Sequence, residues 1–199
     1  MLQHYAERLN GVELNGSFYR TPPAETLEAW AEQTPAHFRL CFKAHRGLTY
    51  SAEAFDKEGL ARELGDRLRL LGPRLGPVLV QFPPTRACDP GLLDRVLRAL
   101  ALRAAVEFRN ESWFSEEVYE VLRAHRAALV VTDQDRWPAA PRLRLSSFAY
   151  YRLRQRYDAR GLERWRRELR AETEEREEVH AYFRHEPEAP AWAARLLED

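Results

Sequence analysis

The fold of this chain is decided by the stretch Val106-Glu107-Phe108-Arg109-Asn110-Glu111-Ser112-Trp113-Phe114, which predicts the end of a buried strand running into a loop. The apolar run Ala104-Ala105-Val106 leads into it, and Ser115-Glu116-Glu117 follows with the capping serine and first-turn acids typical of a helix start. Because strand side chains alternate between faces, Glu107 and Arg109 are expected to lie side by side. An acid and a base are thereby predicted at the carboxyl end of a strand, where α/β proteins carry their chemistry.

Strands and helices are predicted to alternate along the rest of the chain. Seven strands are predicted, at residues 12–18, 38–44, 77–82, 104–109, 127–132, 148–153 and 179–183. Apolar residues at helical spacing predict helices at residues 2–9, 24–33, about 54–71, 92–100, around 118–122, 162–174 and 189–197, and residues 133–147 predict a long loop. This alternation predicts a single domain over residues 1–199 with a parallel sheet, either doubly wound or closed into a barrel.

The side-chain pattern within the strands favours the barrel. Apolar residues fall on one face of each strand, and the alternate positions become polar towards the carboxyl ends, as in the pairs Glu13/Asn15, Cys41/Lys43, Leu79/Gln81 and Glu107/Arg109. A doubly wound sheet is covered by helices on both faces, so both faces would be apolar. A barrel strand has one face towards a lumen that can be polar near its mouth. The pattern therefore predicts a TIM-type parallel (β/α) barrel with a charged mouth.

The same alternation gives a set of candidate site residues at that mouth. Glu107 and Glu13 are the predicted catalytic residues, either acting as a general base if burial raises its pKa. The predicted substrate-binding residues are Asn15, Lys43, Gln81, Arg109, Asp133, Arg152, Arg154, Tyr182 and Arg184. Arginine binds carboxylate or phosphate in bidentate fashion, so a small anionic substrate is expected. The sequence identifies no cofactor.

Other interpretations of these residues stay open. Glu107 and Arg109 are also explained by a buried ion pair that only supports the barrel. A divalent metal held by Glu13, Glu107, Asp133 and His185 is a second possibility, but many cations surround these ligands and no ligand-spacing motif is present, so no metal site is predicted. A catalytically silent anion-binding or interaction module is the third.

Composition limits the classes of partner. Lys+Arg and Asp+Glu both number 31, so no overall field favours nucleic acid or a membrane surface. The charged residues 160–178 carry both signs of charge, which argues against a nucleic-acid interface there. No apolar run is long enough to cross a bilayer, and a soluble, cytoplasmic protein is expected. Cys41 and Cys88 lack metal-ligand spacing, and Cys41 is expected to be a small core residue.

The chain also resembles a known family in six pieces that occur in order. They are Glu13-Leu14-Asn15-Gly16-Ser17-Phe18-Tyr19-Arg20, Phe42-Lys43-Ala44, Val80-Gln81-Phe82-Pro83-Pro84, Val106-Glu107-Phe108-Arg109 with Ser112-Trp113, Tyr151-Arg152-Leu153, and Tyr182-Phe183. Together they resemble the YecE-like family, domain of unknown function 72. The resemblance implies a TIM-type barrel and supplies no established reaction.

The chain departs from that family's pattern in three places. The first family strand, ending in a Gly-Thr-Ser-Gly-Trp-like segment, has no counterpart here. The Arg-Leu-His-Gly and Tyr-Phe-Asn-Asn motifs appear as Arg152-Leu153-Arg154-Gln155 and Tyr182-Phe183-Arg184-His185, so arginine occupies two pocket positions. The departures imply a more anionic ligand or a lost activity. Seven strands would also leave free edges near Glu13 and Val179, which either pair with each other, lie under the N-terminal helix, or form a homodimer.

Overall fold

The computed structural model of the protein describes residues 2–51, 55–184 and 186–198, and over these the chain alternates between strands and helices. The α-helices are α1 (Leu2–Ala6), α2 (Ala24–Gln33), α3 (Lys57–Leu68), α4 (Pro90–Leu100), α5 (Glu116–Ala124), α6 (Ala159–Glu175) and α7 (Ala189–Leu197). The strands are β1 (Gly11–Leu14), β2 (Arg39–Phe42), β3 (Val78–Phe82), β4 (Ala104–Phe108), β5 (Ala128–Leu129), β6 (Val131–Thr132), β7 (Phe148–Leu153) and β8 (Glu178–Phe183).

Every pairing between these strands is parallel, which confirms the predicted α/β class. The sheets have the orders β1-β2, β3-β4-β5 and β6-β7-β8. A bridge between Lys43 and Leu79 joins the first sheet to the second. Strands β5 and β6 correspond to one predicted strand, interrupted at Val130, whose N–H still donates to the carbonyl of Val106 at 2.9 Å. The seven predicted strand positions are therefore present.

The sheets do not close on themselves. Within the described residues β1 pairs only with β2, and β8 pairs only with β7. A cavity of about 480 Å³ lies beside β8, bounded by Gly11 and Tyr182 on the strand side and by Leu169 and Leu196 on the helices. The closed barrel, the single domain and the homodimer across this edge stay predictions; sedimentation of the wild-type protein, with a species of monomer mass only, would contradict the homodimer.

The two faces of the strands have the predicted difference in packing. Val78, Val80 and Phe82 of β3 belong to the main apolar core with α3 and α4, whereas Leu79 lies on the other face in a smaller cluster with Tyr150. Burying such aliphatic side chains contributes about 1.5–3 kcal/mol each, so the helix-facing core is the principal source of stability. The polar inner face is carried on this apolar support.

Trp113 holds the turn after β4 in place. Its side chain is wholly buried, and its ring centroid lies 4.4 Å from that of Phe82 and 4.7 Å from that of Phe108. Its Nε1–H donates to the carbonyl of Arg86 at 2.8 Å. This residue therefore packs in the core.

Several predicted boundaries differ from the structure. The first strand ends at Leu14, four residues early, because Ser17 turns the chain by donating to the carbonyls of Leu14 at 3.1 Å and Lys43 at 2.7 Å. Ser115 makes no side-chain cap, whereas Asp89 caps α4 by accepting from the N–H of Leu92 at 2.8 Å.

Two further regions need comment. The third helix begins at Lys57, and the predicted start near residue 54 lies outside the described residues. Residues 133–147 contain no helix or strand, as predicted. None of the described helices combines the length and apolar character needed to span a bilayer.

Candidate functional site

Four side chains from four strands meet at the carboxyl ends on the inner face; Glu13, Gln81, Glu107 and Arg152 are called the polar centre below. Arg152 donates from Nε and Nη2 to the two carboxylate oxygens of Glu13, at 3.0 Å and 2.7 Å, and from Nη1 to Glu107. Gln81 donates from Nε2 to Glu107 at 2.7 Å. Both carboxylates are only 3% exposed, so these bonds lie away from water and are correspondingly strong.

Further donors complete the coordination of Glu13. Tyr150 donates its hydroxyl to Oε2 at 2.9 Å, and Asn15 and Arg154 donate to Oε1 at 3.2 Å and 3.1 Å. Glu107 similarly accepts from Nε of Arg109 at 2.8 Å. Each carboxylate is thus engaged by several donors.

The protonation of the two carboxylates follows from this geometry. Burial of Glu107 would raise its pKa, but the charges of Arg152 and Arg109 outweigh burial and lower the pKa to about 2. Burial likewise opposes ionisation of Glu13, and its arginine partners lower its pKa below the ordinary value. A general base with a raised pKa was the predicted role, and the shift has the opposite direction for both residues. In this arrangement they are counter-ions of the arginines.

The side chain of Lys43 differs from those of its neighbours in having no hydrogen-bond or ion-pair partner among the described residues. Its Nζ sits 3.9 Å from the ring centroid of Phe18. No carboxylate of the described residues lies within ion-pair distance of this nitrogen, and no hydrogen bond holds it there. Burial and then repulsion from Arg152 lower the pKa of the Lys43 ammonium to about 8.

Arg109 is partly free. Its Nε donates to Glu107, and its guanidinium carbon lies 5.1 Å from the ring centroid of Trp137. Its Nη1 and Nη2 have no acceptor in the described part of the chain, and the side chain is 21% exposed. Two parallel N–H groups are therefore available to a planar anionic group. The indole Nε1 of Trp137 is likewise buried without a partner among the described residues.

Asp133 supports the loop after β7 rather than entering the polar centre. Its Oδ1 accepts from the backbone N–H of Arg154 at 2.6 Å, and its Oδ2 accepts from the hydroxyl of Tyr157. Gln155 donates to the carbonyl of Asp133 at 2.6 Å. These bonds fix the chain direction that brings the Arg154 side chain back to Glu13.

Two further predicted substrate-binding residues lie outside the polar centre. The side chain of Arg184 is 64% exposed and reaches Glu186 at 3.4 Å, outside the polar centre. Tyr182 lies deeper, where its hydroxyl is 2.9 Å from Sγ of Cys41, and it lines the cavity beside β8. Strand alternation correctly predicted that Tyr182 faces inward, but its side chain lies one layer deeper than the polar centre. Arg184 follows the end of β8, where strand alternation no longer determines the direction of a side chain.

The metal alternative gains no support from the described residues. No group of three or more His, Cys, Asp and Glu side chains among them has positions suited to hold a metal ion. The fourth ligand of that alternative, His185, lies outside the described residues. Both cysteines are free, and Cys41 is fully buried, with burial raising the pKa of its thiol to about 12.

Sequence reasoning missed four aromatic side chains beside the cations of the site; Phe18, Tyr19 and Tyr50 near Lys43 and Trp137 near Arg109 are called the aromatic rim below. Phe18 makes edge contacts with Tyr19 and Tyr50, at centroid distances of 5.1 Å and 5.2 Å. Tyr50 donates its hydroxyl to Oε1 of Gln81 at 3.1 Å. Tyr19 is 70% exposed. The available signal was the presence of aromatic residues at or within a few residues of the carboxyl ends of predicted strands.

Comparisons with known proteins agree on one family. The profile described as "Protein of unknown function DUF72" matches residues 1–199. UPF0759 protein YunF of Bacillus subtilis (strain 168) is 34% identical over 129 residues, covering 60% of this chain and 46% of that protein. UPF0759 protein YecE of Escherichia coli (strain K12) is 36% identical over 84 residues, covering 42% of this chain and 31% of that protein. The matched part of the chain spans less than half the length of these relatives.

Solved structures show the same fold. A DUF72 family protein from Enterococcus faecalis V583 has a TM-score of 0.83 at 21% identity, covering 99% of this chain and 91% of that chain. A DUF72 family protein from Thermotoga maritima MSB8 has a TM-score of 0.80 at 23% identity, covering 94% of this chain and 83% of that chain. At these identities the likeness concerns the fold alone.

Proposed function

This chain belongs to the DUF72 family of proteins of unknown function, and from that premise we propose that it binds a small anionic ligand above the polar centre. The ligand carries a carboxylate or a phosphate and enters at the carboxyl ends of the strands. Parallel α/β proteins place their ligands at this end.

The observation that carries the proposal is the pair of unused cationic donors. The ammonium of Lys43 and the terminal nitrogens of Arg109 have no acceptor among the described residues, although both side chains are partly buried. The acids nearest to them already pair with other arginines, Glu107 with Arg152 and Glu13 with Arg152 and Arg154. Among the described residues Lys43 has no carboxylate partner and Arg109 makes one hydrogen bond to Glu107, so a bound anion would supply acceptors that these partly buried cations lack.

The charge count points the same way. Four cationic side chains, Lys43, Arg109, Arg152 and Arg154, accompany the two carboxylates of the polar centre. Asp133 adds a third acid nearby, so one positive charge remains in excess. The aromatic rim would exclude water and lower the local dielectric, which strengthens the attraction of an anion.

We also infer that the strands follow the course of a TIM-type barrel. Side chains of the last strand reach back to the second: Glu178 accepts from Nε of Arg39 at 2.9 Å, and the hydroxyl of Tyr182 lies 2.9 Å from Sγ of Cys41. Parallel strands in sequential order bring their first and last members together only if the array curves round. The barrel interpretation gives the proposed ligand site its place at the mouth.

A binding module without catalysis is a second candidate, and the state of the carboxylates favours it. Glu13 and Glu107 have lowered pKa values, and both already accept hydrogen bonds from arginine side chains. An acid–base enzyme would require one of them to exchange its arginine partner for substrate. Lys43 is the remaining group of the site whose protonation can change near neutral pH.

Thermal-shift and calorimetric titrations with inorganic phosphate, acetate, citrate and sugar phosphates test the proposal. At least one anion is expected to raise the melting temperature of the wild-type protein, and Arg109→Gln is expected to weaken its binding about tenfold or more, as loss of a charge-assisted pair does. Arg184→Gln is the matched control, because that arginine is exposed and lies outside the site. If no anion stabilises the wild type, or if both variants behave alike, the proposal is wrong.

A further inference from the structure

Lysine is nearly absent from this chain. Of 31 Lys and Arg residues only two, Lys43 and Lys57, are lysine. Arginine stays protonated under all ordinary conditions, whereas a lysine amine can lose its proton and attack carbon. The cation that lies at the proposed ligand site without an acceptor is therefore also one of the few side-chain amines in the protein.

The backbone of Lys43 is fixed from three directions. Its N–H donates to the carbonyl of Leu14 at 3.0 Å, its carbonyl accepts from Ser17 Oγ at 2.7 Å, and it forms a bridge with Leu79 of the next strand. The side chain then passes over the ring of Phe18. A rigid base beneath an unpaired amine is suited to positioning a reactive group, since little ordering is left to do on binding.

The surroundings of the amine hold part of it in the neutral form. Arg152 and Arg109 repel its positive charge, and Glu107 and Glu13 attract it, but burial and the arginines prevail and lower its pKa to about 8. The ring of Phe18, 3.9 Å from Nζ at its centroid, is an uncharged neighbour of the amine and in turn contacts the ring of Tyr50. At pH 7.5 about a quarter of such amines are neutral, against about 0.1% for an exposed lysine.

We propose that Lys43 forms an imine with a small anionic carbonyl compound, such as a 2-oxo acid, whose carboxylate is held by Arg109. The lone pair of Nζ bonds to the carbonyl carbon, and both amine hydrogens leave with the carbonyl oxygen as water. A carbon–nitrogen double bond replaces the carbon–oxygen one, and no oxidant or reductant takes part. The inference rests on the proposed anion site and assigns it a class of ligand.

Reductive trapping tests the imine directly. The full-length protein is incubated with glyoxylate and sodium cyanoborohydride at pH 7.5, and the carboxymethylated residues are located by peptide mass spectrometry. The protein has three primary amines, Lys43, Lys57 and the α-amino group, so every product can be assigned. The α-amino group, with an ordinary pKa near 8, is an internal standard for an amine that is reactive without a binding site.

Labelling of Lys43 is expected to saturate with glyoxylate concentration and to slow about tenfold or more in Arg109→Gln, because the carboxylate is then unanchored. Labelling of the α-amino group should instead rise linearly with glyoxylate concentration and should be the same in Arg109→Gln as in the wild type. Acetaldehyde, which has the carbonyl but no charge, should label Lys43 no faster than the α-amino group. Lys43→Arg should lose the saturable product, and Lys57→Arg should keep it.

The possible failures separate the two proposals. If anions stabilise the protein in the titrations above but Lys43 is not labelled in saturable fashion, the imine is wrong and the anion site stands. If Lys43 is labelled equally by acetaldehyde and glyoxylate and inorganic phosphate does not compete, the amine is reactive without an anion site, and both proposals are overturned.

Discussion

Arg152 binds Glu13 through two parallel hydrogen bonds, from Nε at 3.0 Å and from Nη2 at 2.7 Å, and neither side chain is more than 7% exposed. The first residue stands on β7 and the second on β1, which belong to different sheets and are not paired through their backbones. This ion pair therefore connects parts of the structure that main-chain hydrogen bonds leave apart. Its remaining nitrogen adds Glu107 of β4 to the connection.

Arg152→Gln is expected to lower the free energy of unfolding at pH 7 by about 3–5 kcal/mol, because it leaves buried carboxylates without their charge partner. Urea denaturation measures the change. Arg98→Gln is the matched control; that arginine pairs with Asp94 on the surface, is 73% exposed, and should leave stability almost unchanged. An equal, small effect of both substitutions would show that the polar centre does not hold the sheets together.

Stability should fall in acid through Glu107. Its folded pKa of about 2 lies below the ordinary value of 4.5, so its contribution is fully present above pH 4.5 and is lost as pH falls towards 2. The shift corresponds to about 3 kcal/mol. Urea midpoints measured between pH 6 and pH 2 should fall more steeply in the wild type than in Glu107→Gln, whose amide does not titrate. Parallel curves would contradict the assigned ion pairs.

The charge on Lys43 should destabilise the folded protein, whereas the charge on Glu107 stabilises it. Its folded pKa of about 8 lies below the ordinary 10.5, so the unfolded chain binds the proton more tightly, and stability rises with pH between these values. Lys43→Met is expected to stabilise the protein at pH 7 by about 1–2 kcal/mol, allowing for partial exposure. The gain should shrink as pH approaches 10.5. Arg184→Met, a change at an exposed cation, is the control and should show no such dependence.

Much of the fold follows from local pattern. Leu79 and Gln81 of β3 alternate with Val78, Val80 and Phe82. Because side chains of any strand alternate between its two faces, this pattern correctly separated the inner face from the helix-facing core. The helix limits of α2 and α7 agree with the prediction, since proline and polar residues define their first turns. The break at Val130 was not predictable, because the sequence there is uniformly apolar.

The site was predictable in position but not in electrostatics. The positions of polar residues at strand ends correctly predicted a cluster of Glu13, Gln81, Glu107 and Arg152, since parallel strands bring their carboxyl ends to one edge. The direction of the carboxylate pKa shifts depends on how many arginine nitrogens reach each oxygen, which sequence spacing does not contain. The separation of Arg184 from the site likewise depends on the chain direction after β8.

Glu178 is expected to hold the amino end of β8, the last strand, in position. This residue of β8 accepts from Arg39, at the start of β2, at 2.9 Å, and from Arg103, just before β4. Glu178→Gln is expected to cost about 1–2 kcal/mol, since the carboxylate is only partly buried. Amide hydrogen exchange of residues 178–183 should quicken while that of residues 104–108 stays slow, because β8 has one paired neighbour and β4 has two. Glu116→Gln is the control; it removes an exposed ion pair with Arg123 and should leave the exchange rates of both segments unchanged. Equal acceleration of the two strands in Glu178→Gln would mean global destabilisation and would contradict a local role.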